Sequence, residues 1–177
     1  MKNCLIYGFV MAFASFLLRL VLFIAGLEAD PSHTGAARWI GGLAGMAIAI
    51  VVLVLGIRAR RNAAPPEAEF TYGQAFKTGM GIQLFCAIFS PVTTYVYLAF
   101  INPHFVDLLL QASREKMEAA GRPSEQIDQA EKVMRIFMSP VAQAIESFFA
   151  VLIIGAIVTL IVAACLRRDG AHDTLPA

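Results

Sequence analysis

"GGLAGMAIAIVVLVLG", residues 41–56, is a run without a single charged side chain. It lies inside an apolar block over residues 36–57, and a helix needs about 20 such residues to cross the hydrocarbon core of a bilayer. Three further blocks of comparable length flank it, and none shows the strict alternation of outer-membrane strands. The sequence therefore predicts an all-α membrane protein with four transmembrane helices, at about residues 4–27, 36–58, 76–101 and 140–166.

The overall composition agrees with this fold class. The chain is 58% hydrophobic and 15% charged, whereas soluble domains carry about 25% charged residues. The first block extends far beyond the roughly 7–15 residues of a signal-peptide core and contains Arg19, so we interpret it as an uncleaved span. We expect a single domain over residues 1–168, followed by a disordered tail at 169–177.

Several classes of function are excluded or disfavoured by the same data. The formal net charge is +1, which leaves no basic surface for nucleic acid. No phosphate loop, nucleophile elbow or zinc motif occurs. The three cysteines are far apart within spans, and the three histidines are scattered through loops and the tail. We expect no enzymatic activity, no metal and no cofactor.

Basic residues predict the orientation. Arg58, Arg60 and Arg61 follow the second span, while Lys2 and the pair Arg167–Arg168 flank the first and fourth spans on the same side. By the positive-inside rule, both termini are expected in the cytoplasm. The expected location is a bacterial inner membrane, with the lipid bilayer as the first partner.

Residues 103–138, between the third and fourth spans, are predicted to form an amphipathic helical hairpin outside the cytoplasm. Asn102-Pro103 is typical of an N-cap followed by proline at the first helical position, and Gly121 separates the two arms. Ser139-Pro140 repeats this pattern at the start of the fourth span. The apolar stripes of the arms can pack on each other, on the outer leaflet or on a partner protein.

Small residues recur at a spacing of four in the second span. Gly41, Gly45 and Ala49 form a small-xxx-small stripe, which lets helix backbones approach closely in lipid. This pattern indicates helix packing, either inside the bundle or between two copies of the chain.

Two ionisable residues fall inside spans. Arg19 in the first span and Glu146 in the fourth are both expected roughly 9–12 Å below the outer boundary, and opposite charge at similar depth makes them natural partners. Gln143 and Ser147 share the face of Glu146. These residues form either a buried proton-linked, ion-linked or ligand site or a salt bridge between spans, unless Arg19 extends outward to the lipid headgroups.

The entry to the third span combines a helix cap with unexplained polarity. Thr71 and Gln74 fit a Thr-x-x-Gln capping box, and Lys77 can reach the headgroups from one turn inside. Gln83 lies further in, on one face with Thr94, where no cap or interface explains it.

"FTYGQAFKTG" at residues 70–79, "FINPHFVDLLLQASREKMEAAG" at 100–121 and "MRIFMSP" at 134–140 together resemble the bacterial domain-of-unknown-function family 4199. The resemblance covers nearly the whole chain. It implies a four-span integral membrane protein without an assigned activity.

Two functions remain as hypotheses, since a third, a membrane enzyme that acts on lipid, has no motif to support it. The first is a non-enzymatic membrane protein that acts in protein interaction or oligomerisation, through helix packing and the outer hairpin. The alternative is a small transporter or channel subunit with a polar path through Arg19, Glu146 and Gln83. Four spans are few for a pore, so this alternative also requires an oligomer.

Overall fold

A computed structural model describes residues 2–28, 34–65 and 68–168. Six α-helices and one π-helical segment account for most of these residues. Within the described ranges no β-strand occurs, and a single isolated bridge joins Phe70 to Arg168. The helices are α1 (Lys2–Ile24), α2 (Thr34–Asn62), α3 (Tyr72–Val96), the π segment (Tyr97–Ile101), α4 (Phe105–Ala119), α5 (Ser124–Phe137) and α6 (Pro140–Leu166).

Four of these elements are long and apolar enough to cross a membrane: α1, the Trp39–Asn62 part of α2, α3 continued through the π segment, and α6. Their outward surfaces carry large exposed apolar side chains along the whole length of each helix. A water-soluble protein rarely exposes such contiguous apolar surface, whereas a bilayer favours it. The chain is thus an all-helical, multi-pass membrane protein, as the apolar blocks predict.

Helix α3 is the centre of the bundle, because its contacts with α6 and α1 are the most extensive between described elements and it also contacts α2. The two ends of the bundle differ. At one end, called here the terminal end, α1 begins and α6 stops. At the other, the connector end, α4 and α5 form a connector between α3 and α6.

The α3–α6 interface has one antiparallel register throughout. Gly79 faces Thr159, and Gly155 faces Gln83, so that a Cβ atom added to either glycine would collide with the facing side chain. Nearer the terminal end, the backbone of Phe70 pairs with that of Arg168. In each pair the two residue numbers add to the same value, 238. Each glycine therefore forms a notch for a larger polar residue of the other helix.

A second close approach joins α1 to α3 at Gly8. A Cβ atom there would lie 2.6 Å from Phe85 Cβ, 2.8 Å from the Ile82 carbonyl oxygen and 2.9 Å from the Cys86 backbone nitrogen. The two backbones touch at this point, and only glycine permits that distance.

Local sequence determines two helix starts as predicted. Thr71 Oγ1 accepts a hydrogen bond from the Gln74 N–H while Gln74 Oε1 accepts one from the Thr71 N–H, each at 3.2 Å, which completes the capping box. Ser139 Oγ accepts from the Ala142 N–H at the start of α6. Both caps are formed within four residues, so the sequence alone could identify them.

The predicted start of the connector is wrong by two residues. Helix α4 begins at Phe105 with His104 in the cap position and no side-chain cap, rather than at Pro103 after an Asn102 cap. Asn102 is buried, and its amide donates to the Tyr97 hydroxyl instead. A side chain committed to that interaction is not available to cap α4.

Exposed ion pairs link α4 to α5. Arg114 of α4 contacts Glu131 of α5 at 3.2 Å, and Arg135 of α5 contacts Asp107 of α4 at 3.3 Å. Arg114 also pairs with Glu118 of its own helix at 3.0 Å. Hydrogen bonding to Glu118 raises the pKa of the Arg114 guanidinium above its ordinary value, so this residue stays charged. Exposed pairs of this kind contribute about 0–1 kcal/mol each. The ion pairs of the connector therefore help to align α4 with α5 but add little to its stability.

Candidate functional site

A half-open cavity of about 670 Å³ lies at the connector end, between α1, α2 and α6 and beneath the connector. Its wall includes three ionisable side chains, Arg19, Glu28 and Glu146, together with apolar residues and three glycines of α2. Sites for small molecules usually measure about 300–1,000 Å³ and combine apolar walls with a few polar groups. This cavity is the candidate functional site.

Arg19 lies against aromatic rings rather than beside a carboxylate of α6. Its guanidinium carbon is 4.5 Å from the centroid of the Tyr97 ring and 5.8 Å from that of Phe105. A cation over an aromatic face gains about 0.5–2 kcal/mol, more where water is excluded. Because α1 ends at Ile24, Arg19 is five residues from the helix end, or about 7.5 Å.

Glu28, Tyr97 and Asn102 form a buried hydrogen-bonded chain behind Arg19. Glu28 is only 7% exposed and accepts a hydrogen bond from the Tyr97 hydroxyl. The Asn102 amide in turn donates to the Tyr97 hydroxyl oxygen at 3.3 Å. The chain joins the end of α1 to the start of the connector, so it holds both in place around the cavity.

The π segment is what aligns Tyr97 with Asn102. The Asn102 N–H bonds to the Tyr97 carbonyl at 2.8 Å, five residues back, instead of four as in an α-helix. The wider turn places residues five apart on the same side of the helix. Sequence reasoning missed this chain, since it assigned no role to Glu28 and interpreted Asn102 as a cap. The one signal available was a carboxylate directly after an apolar span.

Glu146 and Gln143 form the α6 side of the cavity. The Gln143 amide donates to Glu146 Oε2 at 3.0 Å, and both side chains line the cavity with Arg19. Among the residues that the structure describes, no ion pair within 4.0 Å joins Arg19 to Glu146. The two predicted partners thus share a cavity without forming a salt bridge, and Ser147 bonds to the Ala144 carbonyl of its own helix.

Gln83 and Thr94 are not among the described residues that line this cavity. Gln83 is 2% exposed and fills the notch at Gly155 on the α3–α6 interface. Its helix meets α1 beside Gly8, eleven residues before Arg19, which places Gln83 about 16 Å from Arg19 along the bundle. Thr94 is half-buried, and its carbonyl accepts from the Tyr97 N–H. The polar residues of α3 and the cavity are therefore two separate features.

The predicted packing stripe of α2 is only partly occupied. Ala49 packs against the core, and a Cβ atom at Gly41 would meet Leu22 at 3.1 Å. At Gly42 and Gly45 an added Cβ would meet no described atom within 4 Å, and both glycines line the cavity. The glycines that close the bundle are others, namely Gly8, Gly56, Gly79 and Gly155.

Comparison with known proteins gives one match. A family model described as "Protein of unknown function (DUF4199)" matches residues 6–168. No curated protein and no solved structure matches the chain. The description of the family assigns no activity, so the function has to be inferred from the geometry.

Proposed function

Because this chain belongs to the DUF4199 family, which carries no assigned activity, we propose its function from the geometry: it is a non-enzymatic inner-membrane protein that associates with a second copy of itself through α2. Both termini lie in the cytoplasm, and the connector lies outside it. The observation that carries this proposal is the unfilled space at Gly42 and Gly45.

The use of glycine in this chain supports association through α2. Where glycines close the bundle, as at Gly8 and Gly56, a Cβ atom would collide with a neighbouring helix. Gly42 and Gly45 have no such neighbour among the described residues, although they share a face of α2 with Gly41. Small residues on a membrane helix let another helix pack closely. Because Gly42 and Gly45 line a half-open cavity, we propose that a helix of the second copy enters it and packs against them.

The connector supports the same assembly. We propose that it is an amphipathic hairpin, with apolar residues at the C-terminal end of α5 facing the bilayer or the second copy. Ile136 and Phe137 are 70% and 69% exposed, and exposed Val141 continues this surface into α6. An apolar surface that runs without interruption from α5 into a membrane span favours contact with lipid or with another membrane helix.

Native mass spectrometry of the protein released from lipid nanodiscs tests the association. We expect wild-type dimers or larger assemblies, and monomers for Gly45→Leu, because the leucine fills the space that the second copy needs. Ala47→Leu is the matched control, since Ala47 is exposed on the other side of the same helix. A strictly monomeric wild type, or equal effects of both substitutions, contradicts the proposal.

The cavity supports a second candidate, a small transporter or channel subunit. Ionisable residues such as Arg19 and Glu146 inside spans often mark ion or substrate pathways. Because Gln83 lies away from the cavity, the described polar residues of a single copy do not form a continuous path across the membrane. This candidate therefore depends on the oligomer. Proteoliposome flux of protons and common ions tests it: flux above that of empty vesicles, abolished by Glu146→Gln, supports transport. Flux equal to that of empty vesicles rules it out.

A further inference from the structure

The loop between α2 and α3 is held against the C-terminal end of α6. The backbones of Phe70 and Arg168 exchange two hydrogen bonds, each of 3.0 Å. The Arg168 guanidinium also donates to the carbonyls of Pro65 and Ala68, at 2.9 and 2.8 Å. Four hydrogen bonds therefore hold Pro65, Ala68 and Phe70 against the end of α6, whereas connecting loops are usually mobile.

Residues 63–64 and 68–70 form one wall of a pocket of about 400 Å³ at the terminal end of the bundle. The opposite wall is formed by the first two turns of α3, through Gln74, Lys77 and Thr78. Among the described lining residues, Arg60 and Lys77 supply two positive charges and Glu69 supplies one negative charge, for a net formal charge of +1. Neither cation forms an ion pair within 4.0 Å with a described carboxylate. The pocket thus presents positive charge that the described part of the chain does not neutralise.

Two further features of the pocket favour an anion. Gln74 uses its carbonyl oxygen for the capping box, which leaves the two N–H donors of its amide. The lining also includes the N-terminal turns of α3, where the helix dipole is positive. Arginine, lysine and amide donors converging on one pocket are the groups that bind phosphate oxygens.

The surroundings of the pocket favour a lipid over a soluble anion. Lys77 is five residues from the start of α3, about 7.5 Å, which is the depth of headgroups for a spanning helix. Tyr72 and Phe76 stack beside it with ring centroids 6.2 Å apart, as aromatic residues do at a membrane boundary. Exposed Leu84 and Ile88 continue the face of Lys77 at spacings of seven and eleven residues. They provide an apolar track for an acyl chain.

We propose that this pocket binds the phosphate group of an anionic phospholipid, with Arg60 and Lys77 as its cationic ligands and Leu84 and Ile88 beneath one acyl chain. The site is at the opposite end of the bundle from the cavity. It does not depend on association through α2.

Native mass spectrometry from nanodiscs that contain phosphatidylglycerol in phosphatidylcholine measures the lipid retained by the folded protein. Arg60→Gln/Lys77→Gln should weaken retention of phosphatidylglycerol about thirtyfold, because each basic residue near an anionic headgroup contributes about fivefold. The matched control is Arg58→Gln/Arg167→Gln, which removes two charges at the same end but outside the pocket lining. We expect the control to weaken retention less than about threefold. If both double variants lose the same amount of retained phosphatidylglycerol, the basic residues at this end attract lipid without a specific site, and the proposal is contradicted.

Three further measurements make the result independent of misfolding and of the source of the phosphate. Lys77→Arg should retain phosphatidylglycerol like the wild type, and Glu69→Gln should retain more, because it removes the carboxylate found among the described lining residues. A gain of binding cannot come from an unfolded protein. If inorganic phosphate at millimolar concentration displaces the lipid completely, or protects the protein from heat equally well, the pocket takes a free anion and the lipid proposal fails.

Discussion

The contact between the α1 and α3 backbones at Gly8 leads to a quantitative prediction. In Gly8→Ala, the new methyl group would lie 2.6 Å from Phe85 Cβ, whereas ordinary contacts begin at 3.4 Å. The helices would have to separate by about 0.8 Å, the difference between these two distances. Because two of the three nearest atoms belong to the backbone of α3, no side-chain rotation can relieve the clash. Overpacking of this kind costs about 1–3 kcal/mol.

Cys86 provides the assay, since it is 3% exposed and lies at the same contact. With Cys4 and Cys165 replaced by alanine, a maleimide reacts only when α1 and α3 open. A loss of about 1–3 kcal/mol makes that reaction roughly 5- to 150-fold faster in Gly8→Ala. Gly45→Ala is the control and should react at the wild-type rate, because its added methyl group meets no described atom within 4 Å. A Gly8→Ala protein labelled as slowly as the wild type would refute the reasoning.

Three other substitutions have distinct expected outcomes. Tyr97→Phe removes the hydroxyl that donates to buried Glu28 and should lower the stability of the fold by about 1–3 kcal/mol. The midpoint of thermal aggregation measures this loss, and an unchanged midpoint would mean that water replaces the hydroxyl. Arg168→Gln should speed proteolytic cleavage within residues 63–70 several-fold, because it loses two hydrogen bonds to that loop; cleavage at the wild-type rate would show that the backbone bridge suffices. Arg114→Ala should lower the free energy of unfolding by less than about 1 kcal/mol, because its ion pairs are exposed. A larger loss of stability would indicate that the connector is shielded from water.

Features that depend on a few consecutive residues could be predicted from the sequence. The four spans follow from the apolar blocks, since lipid requires every span to be a helix of about 20 residues. The capping box of Thr71 and the cap of Ser139 follow from side chains that reach a backbone N–H three residues away. Each of these features is decided without knowledge of which helix is next to which.

Features that depend on helix pairing could not be predicted. The spacing of Gly41 and Gly45 predicts helix packing at these residues. The closest helix contacts are instead at Gly8, Gly79 and other glycines that face a neighbouring backbone or polar side chain. Gln83 could not be explained by any residue near it in the chain. Its explanation is the notch at Gly155, 72 residues away (155 minus 83), and that pairing exists only in the α3–α6 register.

The candidate site was found only in part for the same reason. Arg19 and Glu146 were identified as intramembrane charges, and both line the cavity. Their expected ion pair does not occur within 4.0 Å, and the Arg19 guanidinium lies over the rings of Tyr97 and Phe105 instead. Nothing in local sequence distinguishes a π turn from an α turn, so the chain from Asn102 to Glu28 was not foreseen.

The π segment makes this part of the chain tolerant of a change in length. It accommodates one residue more than an α-helical turn would hold, so deleting one residue from 98–101 would restore α-helical bonding there. An α-helix brings residues four apart to the same side, as the π turn does for residues five apart, so Asn102 would still face the Tyr97 hydroxyl and Phe105 would stay near Arg19. The same deletion within the α-helical part of α3 would rotate every following residue by about 100° and separate these partners. The π segment is therefore the one place in this span where the chain can be shortened by a residue without changing the partners of the connector.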